Sequence, residues 1–263
     1  MRKIALLITA LAAALVVAAP ASASVLSVQK GEVTVKPNIA GTKAKPQAVS
    51  ISVHAYFDDI SPDLGREVQF ATTHGDVFFP KEGLTNNKLF PGCDASTIFQ
   101  DEKQCPPESK IGTGTARGIG LGLDEQVTLT AFNLPGGKGG AVLVVGESPL
   151  IIREVVVANL KTLTNDPLYK YQLSFDVPKN LQSPAPGVIA AVKDFRLSLP
   201  AKFLKKNGKF VKKKGQRIPY IATTGCKTGK WSGKAVLQYT TSFDGTVDST
   251  QTIDVSVPCK ARK

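Results

Sequence analysis

An antiparallel all-β fold of two packed sheets, stapled by disulfides, is what this sequence predicts, and three observations predict it. Short alternating or β-branched runs recur along the chain, separated by Gly, Pro and Asn-Asp turn signals. Past the first two dozen residues no segment carries convincing helical periodicity. The chain also holds four cysteines, an even count that reads as two disulfides in an exported protein.

Export is expected from residues 1–23. Arg2 and Lys3 form a short positive start, an apolar run follows from Ile4 to Ala19, and Ala21-Ser22-Ala23 supplies the small residues of a cleavage site, leaving Ser24 as the mature N-terminus. The run is at the short edge for crossing ~30 Å of hydrocarbon, so a retained anchor is the weaker account. No cysteine adjoins the cleavage site, and no second long apolar stretch or Leu-Pro-x-Thr-Gly signal is present. A secreted or envelope-associated protein is therefore expected.

The mature part reads as one β-sandwich domain over 24–263, with two sandwiches, 24–135 and 136–263, as the alternative. Strands are expected at Val25–Val35, Ala48–Tyr56, Glu67–Thr72, Gln126–Phe132, Ala141–Val145, Ile151–Leu160, Tyr169–Val177, Val188–Leu199, Ile218–Thr223, Trp231–Phe243 and Thr246–Val257. Turns fall at Pro62-Asp63-Leu64-Gly65, Pro135-Gly136-Gly137, Asn165-Asp166-Pro167 and Pro184-Ala185-Pro186-Gly187. Pro91 to Gly114 reads as a compact loop with a helical turn near Ala95–Phe99, cross-linked at its neck, and a strand begins near Lys110.

Of three possible connectivities the sequential one is favoured, Cys93–Cys105 and Cys226–Cys259. It closes loops of 12 and 33 residues, worth ~3 and ~4 kcal/mol in the chain-entropy account. In the last hairpin Asp244-Gly245 suggests a two-residue turn. That register sets Tyr239 opposite Thr250, Val236 opposite Ile253 and Cys259 opposite Lys230. The Lys227–Gly229 stretch could then fold back to bring Cys226 to Cys259. The sole tryptophan, Trp231, is expected in the core against those sulfurs. Zinc is not expected, because no paired CxxC knuckle exists and His54 and His74 lie far off in sequence.

The run Cys93…Cys105-Pro106-x-x-Ser109-x-Ile111-Gly112-x-Gly114, with Cys226-x-x-Gly229-x-Trp231 and the terminal Cys259, resembles a pattern in secreted proteins of high-GC Gram-positive bacteria that carry no assigned activity. The resemblance spans roughly Pro91 to Cys259 and rests on structural residues. It implies an exported β-rich fold and no catalytic residues.

Charge gives the sharpest functional signal. The chain carries +12, and loss of Arg2 and Lys3 with the leader leaves +10. Such a surplus favours anionic partners, and export argues against nucleic acid. The cations concentrate in Lys202, Lys205, Lys206, Lys209, Lys212, Lys213, Lys214 and Arg217, around the Asn207-Gly208 turn signal. A hairpin centred there sets Lys206 opposite Lys209, Lys202 opposite Lys213 and Leu204 opposite Val211. Like charges in that position cost up to ~1 kcal/mol per pair, which a bridging anion would relieve. The plainer account is that splayed lysines protect an edge hairpin from aggregating.

Catalytic chemistry finds little footing. Gly146-Glu147-Ser148-Pro149 is not a nucleophile elbow. Gly112-x-Gly114-x-x-x-Gly118-x-Gly120-x-Gly122 lacks the spacing and following helix of a phosphate loop and reads as a bulged or twisted strand. Asp58, Asp59, Asp63 and Glu67 match no calcium loop. The expectation is a non-enzymatic protein without cofactor or metal, adhering to an anionic cell-wall polymer or membrane surface through the Lys-rich hairpin. The alternatives are a carrier holding an apolar molecule between its sheets and a hydrolase whose site has no sequence signature.

Overall fold

The structure, a computed structural model, describes residues 29–57, 70–120, 123–242 and 244–262. The expected leader and cleavage site, the acids Asp58, Asp59, Asp63 and Glu67 with their turn, Gly122 and Phe243 lie outside the described residues.

The order along the chain begins β1 (Gln29–Lys36), β2 (Gln47–Ala48), β3 (Ser50–Phe57), β4 (Ala71–Pro80), β5 (Gly83–Thr85) and helix α1 (Ala95–Asp101). It continues with β6 (Lys110–Gly120), β7 (Leu123–Asn133), β8 (Gly139–Gly146), β9 (Ile152–Thr162), β10 (Tyr169–Asp176) and the short helix α2 (Lys179–Gln182). After β11 (Ala191–Leu199) come four two-residue strands: β12 (Lys205–Lys206), β13 (Lys209–Phe210), β14 (Lys212–Lys213) and β15 (Gln216–Arg217). The chain ends with β16 (Ile221–Thr223), β17 (Lys230–Thr240) and β18 (Ser249–Pro258). The expected all-β, antiparallel architecture is present, and so is the helical turn inside the first disulfide loop.

One 11-stranded sheet dominates, in the order β1-β3-β11-β6-β7-β8-β9-β10-β4-β17-β18, with every adjacent pair antiparallel. The sheet rolls until its two edges meet. Because the strand number is odd and every pairing alternates direction, β1 and β18 must run parallel where they touch, and they do. The amide of Gln29 donates to the Gln251 side chain at 2.9 Å, Gly31 lies against Ile253, and Val35 and Val257 pack on Trp231. Beyond the strands, Ala40 N donates to Lys260 O and Lys260 N to Asn38 O, both at 2.8 Å. Rolling removes two long free edges, which would otherwise template aggregation. A three-stranded sheet, β2-β16-β5, supplements the roll.

The inner face collects alternate residues of each strand, as the two-residue period of a pleated sheet requires. Ala116, Val127, Leu129, Val144, Val156 and Phe195 form one interior cluster, joined by Leu181 of α2. Phe57, Phe70, Phe175, Leu237, Tyr239 and Ile253 form another, with Phe70 edge-on to Tyr239 at 5.4 Å. The glycines of β6 belong to this tight curvature. A Cβ on Gly114 would sit 1.9 Å from the Arg196 carbonyl oxygen, so only glycine lets β6 and β11 approach. The register slips next to Gly112, the bulged strand expected from the glycine run.

One stretch of the outer face is apolar as well. Phe132, Leu134, Ala141, Leu143, Val145, Val155 and Val157 point outward from β7–β9 and are covered by Ile98 of α1 and the Cys93–Cys105 bond. Arg153 of β9 holds the helix there, donating to the carbonyls of Phe99 and Ile98 at 2.6 and 3.0 Å and pairing with Glu102.

The last hairpin departs from its expected register by one residue. Tyr239 faces Ser249 and Val236 faces Thr252, and the connection 241–248 replaces a two-residue turn. Asp248 accepts from Thr241, while Asp244 accepts from Ser242 Oγ at 2.5 Å and Thr246 N at 2.7 Å. The Ser242 hydroxyl, with the Thr246 amide, pulls the Asp244 carboxyl down to about 2. Burial decided the register. Directly opposed residues share a face, and the expected pairing would have set inward Ile253 against Val236, which neighbours the outward Asp76. The Cys226–Cys259 bond forms with a Cα separation of 5.9 Å, and the 227–229 segment folds back so that Cys259 N donates to Gly229 O. Trp231, 4% exposed, packs on both sulfur-bearing residues and donates its indole N–H to Gly225 O at 2.8 Å.

Gly114→Ala should destabilise the protein by about 3 kcal/mol or block folding, because the added methyl meets backbone rather than a movable side chain. Gly118→Ala on the same strand, where the nearest atom is 3.7 Å away, should cost less than about 1 kcal/mol. Urea unfolding of both variants checks the contrast.

Candidate functional site

The basic segment folds as two hairpins in tandem. Asn207 and Gly208 both have positive φ (50° and 74°), the two-residue primed turn their types predict. Lys205 faces Phe210 and Lys206 faces Lys209, as expected for the first hairpin. The chain then turns away at Val211 and makes a second hairpin through Lys214 and Gly215 (φ 50° and 77°), with Lys212 facing Arg217 and Lys213 facing Gln216. The expected Lys202–Lys213 pairing is therefore absent, because the second turn captures Lys213.

A seven-residue repeat explains the doubling. Phe203-Leu204-Lys205-Lys206-Asn207-Gly208-Lys209 is followed by Phe210-Val211-Lys212-Lys213-Lys214-Gly215-Gln216, then Arg217-Ile218. The three apolar members close a ring of backbone hydrogen bonds: Val211 N to Leu204 O at 2.9 Å, Ile218 N to Val211 O at 3.3 Å and Leu204 N to Ile218 O at 2.8 Å. The residues before them stack on the surface. Phe203 and Phe210 meet edge-on at 6.1 Å, and the Arg217 guanidinium lies 4.2 Å from the Phe210 ring centre and 5.9 Å from that of Phe203. Lys205 Nζ is 5.2 Å from the Phe210 centre.

The root of this element is buried. Leu204, Ile218 and Tyr220 pack with Phe90, Ile111 and Ala131. Tyr220 donates its hydroxyl to Oδ1 of the fully buried Asn133 at 3.0 Å, while Asn133 Nδ2 donates to the carbonyls of Asn87, Phe90 and Pro91. Burial pushes the Tyr220 phenol up, so it stays a neutral donor.

Seven of the eight expected contact residues stand exposed on the hairpins: Lys205, Lys206, Lys209, Lys212, Lys213, Lys214 and Arg217. Among the described residues no carboxylate lies within ion-pair distance of any of them. Lys202 sits apart. Its ammonium is drawn against the carbonyls of Glu108 and Lys110 at 2.6 and 2.5 Å. Burial moves its pKa down, against the pull of Glu108. Sequence reasoning missed Lys43 and Lys45, exposed on the loop that Gln216 Nε2 contacts through Ala44 O at 3.3 Å. It also missed Phe203 and Phe210, whose signal was the unrecognised repeat. A surface groove of about 380 Å³ opens at the root, lined by Pro107, Glu108, Ala201, Lys202, Phe203, Lys205 and Phe210.

Each histidine is set between two carboxylates on the outer face of the sheet. His54 Nε2 is 2.7 Å from Asp194, with Glu32 at 3.7 Å from Nδ1, and its ring stacks on Tyr56 at 4.6 Å. His74 Nδ1 is 2.7 Å from Asp176 and its Nε2 3.5 Å from Asp76. Burial opposes ionisation of Asp76, yet hydrogen bonds from Ser174 and Gln172 and the adjacent His74 hold its carboxyl below the usual range. These clusters tie neighbouring strands together across the sheet. No helix among the described residues is long and apolar enough to cross a membrane.

Comparison with protein-family models, curated proteins and solved structures returned no match to the chain.

The His74 cluster yields a pH dependence. The hydrogen bond to Asp176, supported by the charges of Asp76 and Asp176, raises the His74 pKa above 6.5. A raised folded-state value means the contribution is complete below the unfolded pKa and fades as pH climbs through the folded one. His74→Gln should lower stability at pH 5 by less than about 1 kcal/mol, the scale of a partly exposed pair, and by still less at pH 9. Denaturant titrations at both pH values test this.

Proposed function

We propose that this is an exported, non-enzymatic, envelope-associated protein whose tandem basic hairpins adhere to an anionic cell-wall polymer. The observation that carries the reading is seven exposed cations on one small, root-anchored protrusion with no ion-pair partner among the described carboxylates. Clustered charges of one sign repel each other and create a local potential that concentrates polyanions. Two disulfides suit an oxidising compartment, which agrees with the leader-like residues 1–23. A polymer fits better than a flat bilayer. The tips are Asn207-Gly208 and Lys214-Gly215, while the aromatic rings lie at the concave root. Membrane insertion would want apolar groups at the tips.

Retention of the mature protein on wall preparations bearing phosphate polymers should fall steeply between low and high salt, since exposed charges are screened over about 10 Å at 0.1 M. Joint replacement of Lys205, Lys206, Lys212 and Lys213 by Gln should weaken retention by about tenfold or more at low salt. A pull-down across a salt series measures both effects, and retention insensitive to salt and to the substitutions refutes adhesion by this element.

A further inference from the structure

We propose that the groove at the root of the hairpins recognises one repeat unit of such a polymer, a polyol phosphodiester, with its carbon skeleton against Phe203 and Phe210 and its phosphate at the groove's edge, on Lys205 of the wall and on Arg217, which stacks on Phe210 just outside it. This inference rests on the adhesion reading and adds chemical selectivity to it.

Size is the first support. The groove, about 380 Å³, is a surface feature open to solvent, with room for a segment of a chain and not an enclosure for a small molecule. It accommodates a short polyol phosphate segment, and its open form lets a chain enter and leave.

The walls are the second. Pro107, Ala201, Phe203 and Phe210 give apolar surface, and Phe210 is 40% exposed, a large ring left facing water beside two cations. Lys205 and Arg217 both lie over that ring, at 5.2 and 4.2 Å from its centre. Stacking restrains the Arg217 fork, which lowers the ordering cost of binding a phosphate. The ring thus marks the place where an anion and an apolar skeleton meet.

Lys202 is the third. Its ammonium has three donors, and two are engaged by neutral carbonyls, Glu108 O and Lys110 O. That half-buried cation is hydrogen-bonded by neutral carbonyls alone, and the Glu108 carboxylate that shares the wall offsets only part of its charge from a distance. Glu108, in the same wall, supplies a carboxylate that can accept hydrogen bonds from polyol hydroxyls and that repels a bare polyphosphate. Apolar surface, two phosphate donors and one hydroxyl acceptor together describe a phosphorylated polyol better than a uniform polyanion.

Calorimetric titration at one low salt concentration tests this with two probes of matched charge and length, poly(glycerol phosphate) and inorganic polyphosphate. Vesicles containing phosphatidylglycerol form a third arm. The wild-type protein should prefer the glycerol polymer by about fivefold, the scale of burying one or two methylene groups against the rings. Phe210→Ala should bring that ratio to about one while leaving polyphosphate binding within about twofold, and Arg217→Gln should also lower the ratio. The joint Gln variant of Lys212, Lys213 and Lys214 should weaken both polymers alike and preserve the ratio. Equal wild-type affinity for the two polymers, or a preference that survives both Phe210→Ala and Arg217→Gln, overturns the groove assignment and leaves adhesion standing. Binding to neither polymer overturns adhesion itself. Tighter binding to the vesicles than to the glycerol polymer moves the phosphodiester to the lipid headgroup and overturns the polymer assignment.

Discussion

An antiparallel sheet with an odd number of strands can bring its edges together only along one parallel seam, and the structure is arranged around that constraint. The seam between β1 and β18 is filled by side chains: Gln29 with Gln251 and Tyr239, Gly31 with Ile253, Val35 with Val257. At its far end the 38–40 and 260 backbones join by hydrogen bonds, and the Cys226–Cys259 bond with Trp231 packed on it closes the same corner. That bond staples the open end of the β17–β18 hairpin, so it holds the edge strand in place at the corner where β1 meets it.

Rolling a sheet so tightly has local consequences. Inward side chains crowd, so Gly112 and Gly114 of β6 take positions where a Cβ would meet the carbonyls of β11. Outward, the strip on β7–β9 is left apolar and needs a cover, supplied by α1 and clipped by Cys93–Cys105. The segment leading into that cover is pinned by Asn133, whose amide serves three carbonyls and whose oxygen takes the Tyr220 hydroxyl. A buried polar group so well satisfied is a strong positional constraint, because losing any partner leaves a desolvated dipole. Through Tyr220 the constraint reaches the stem of the basic hairpins.

That anchorage gives the hairpins a functional character that loose surface lysines would lack. Their root is part of the core, their apolar trio closes a hydrogen-bonded ring, and the two lysine-bearing turns are held outward from it. In the proposed adhesion, cations at the tips would favour encounter with a polyanion, and the groove at the base would supply the short-range contacts that discriminate one from another. The histidine clusters on the sheet faces serve a different purpose, linking strands through paired carboxylates.

Sequence by itself determined the fold class, most of the strands, both cysteine pairings, the core role of Trp231 and the first basic turn. Each of these follows from local chemistry: the two-residue period of a half-buried strand, the positive φ that Asn-Gly accepts, and the short separations between the paired cysteines. Tertiary structure alone decided the rest. Asp244-Gly245 carried a two-residue turn signal, yet the need to bury Leu237, Tyr239 and Ile253 on one face shifted the hairpin by a residue and opened the loop. Lys214-Gly215 lacks a strong turn signal, and the second hairpin exists because Val211 and Ile218 close on Leu204. The same long-range closure drew Lys202 away from the exposed cations and placed Phe203, Phe210 and Arg217 together. Side-chain direction at such a junction is set by non-local burial, to which residue types and spacing respond only after the chain has folded.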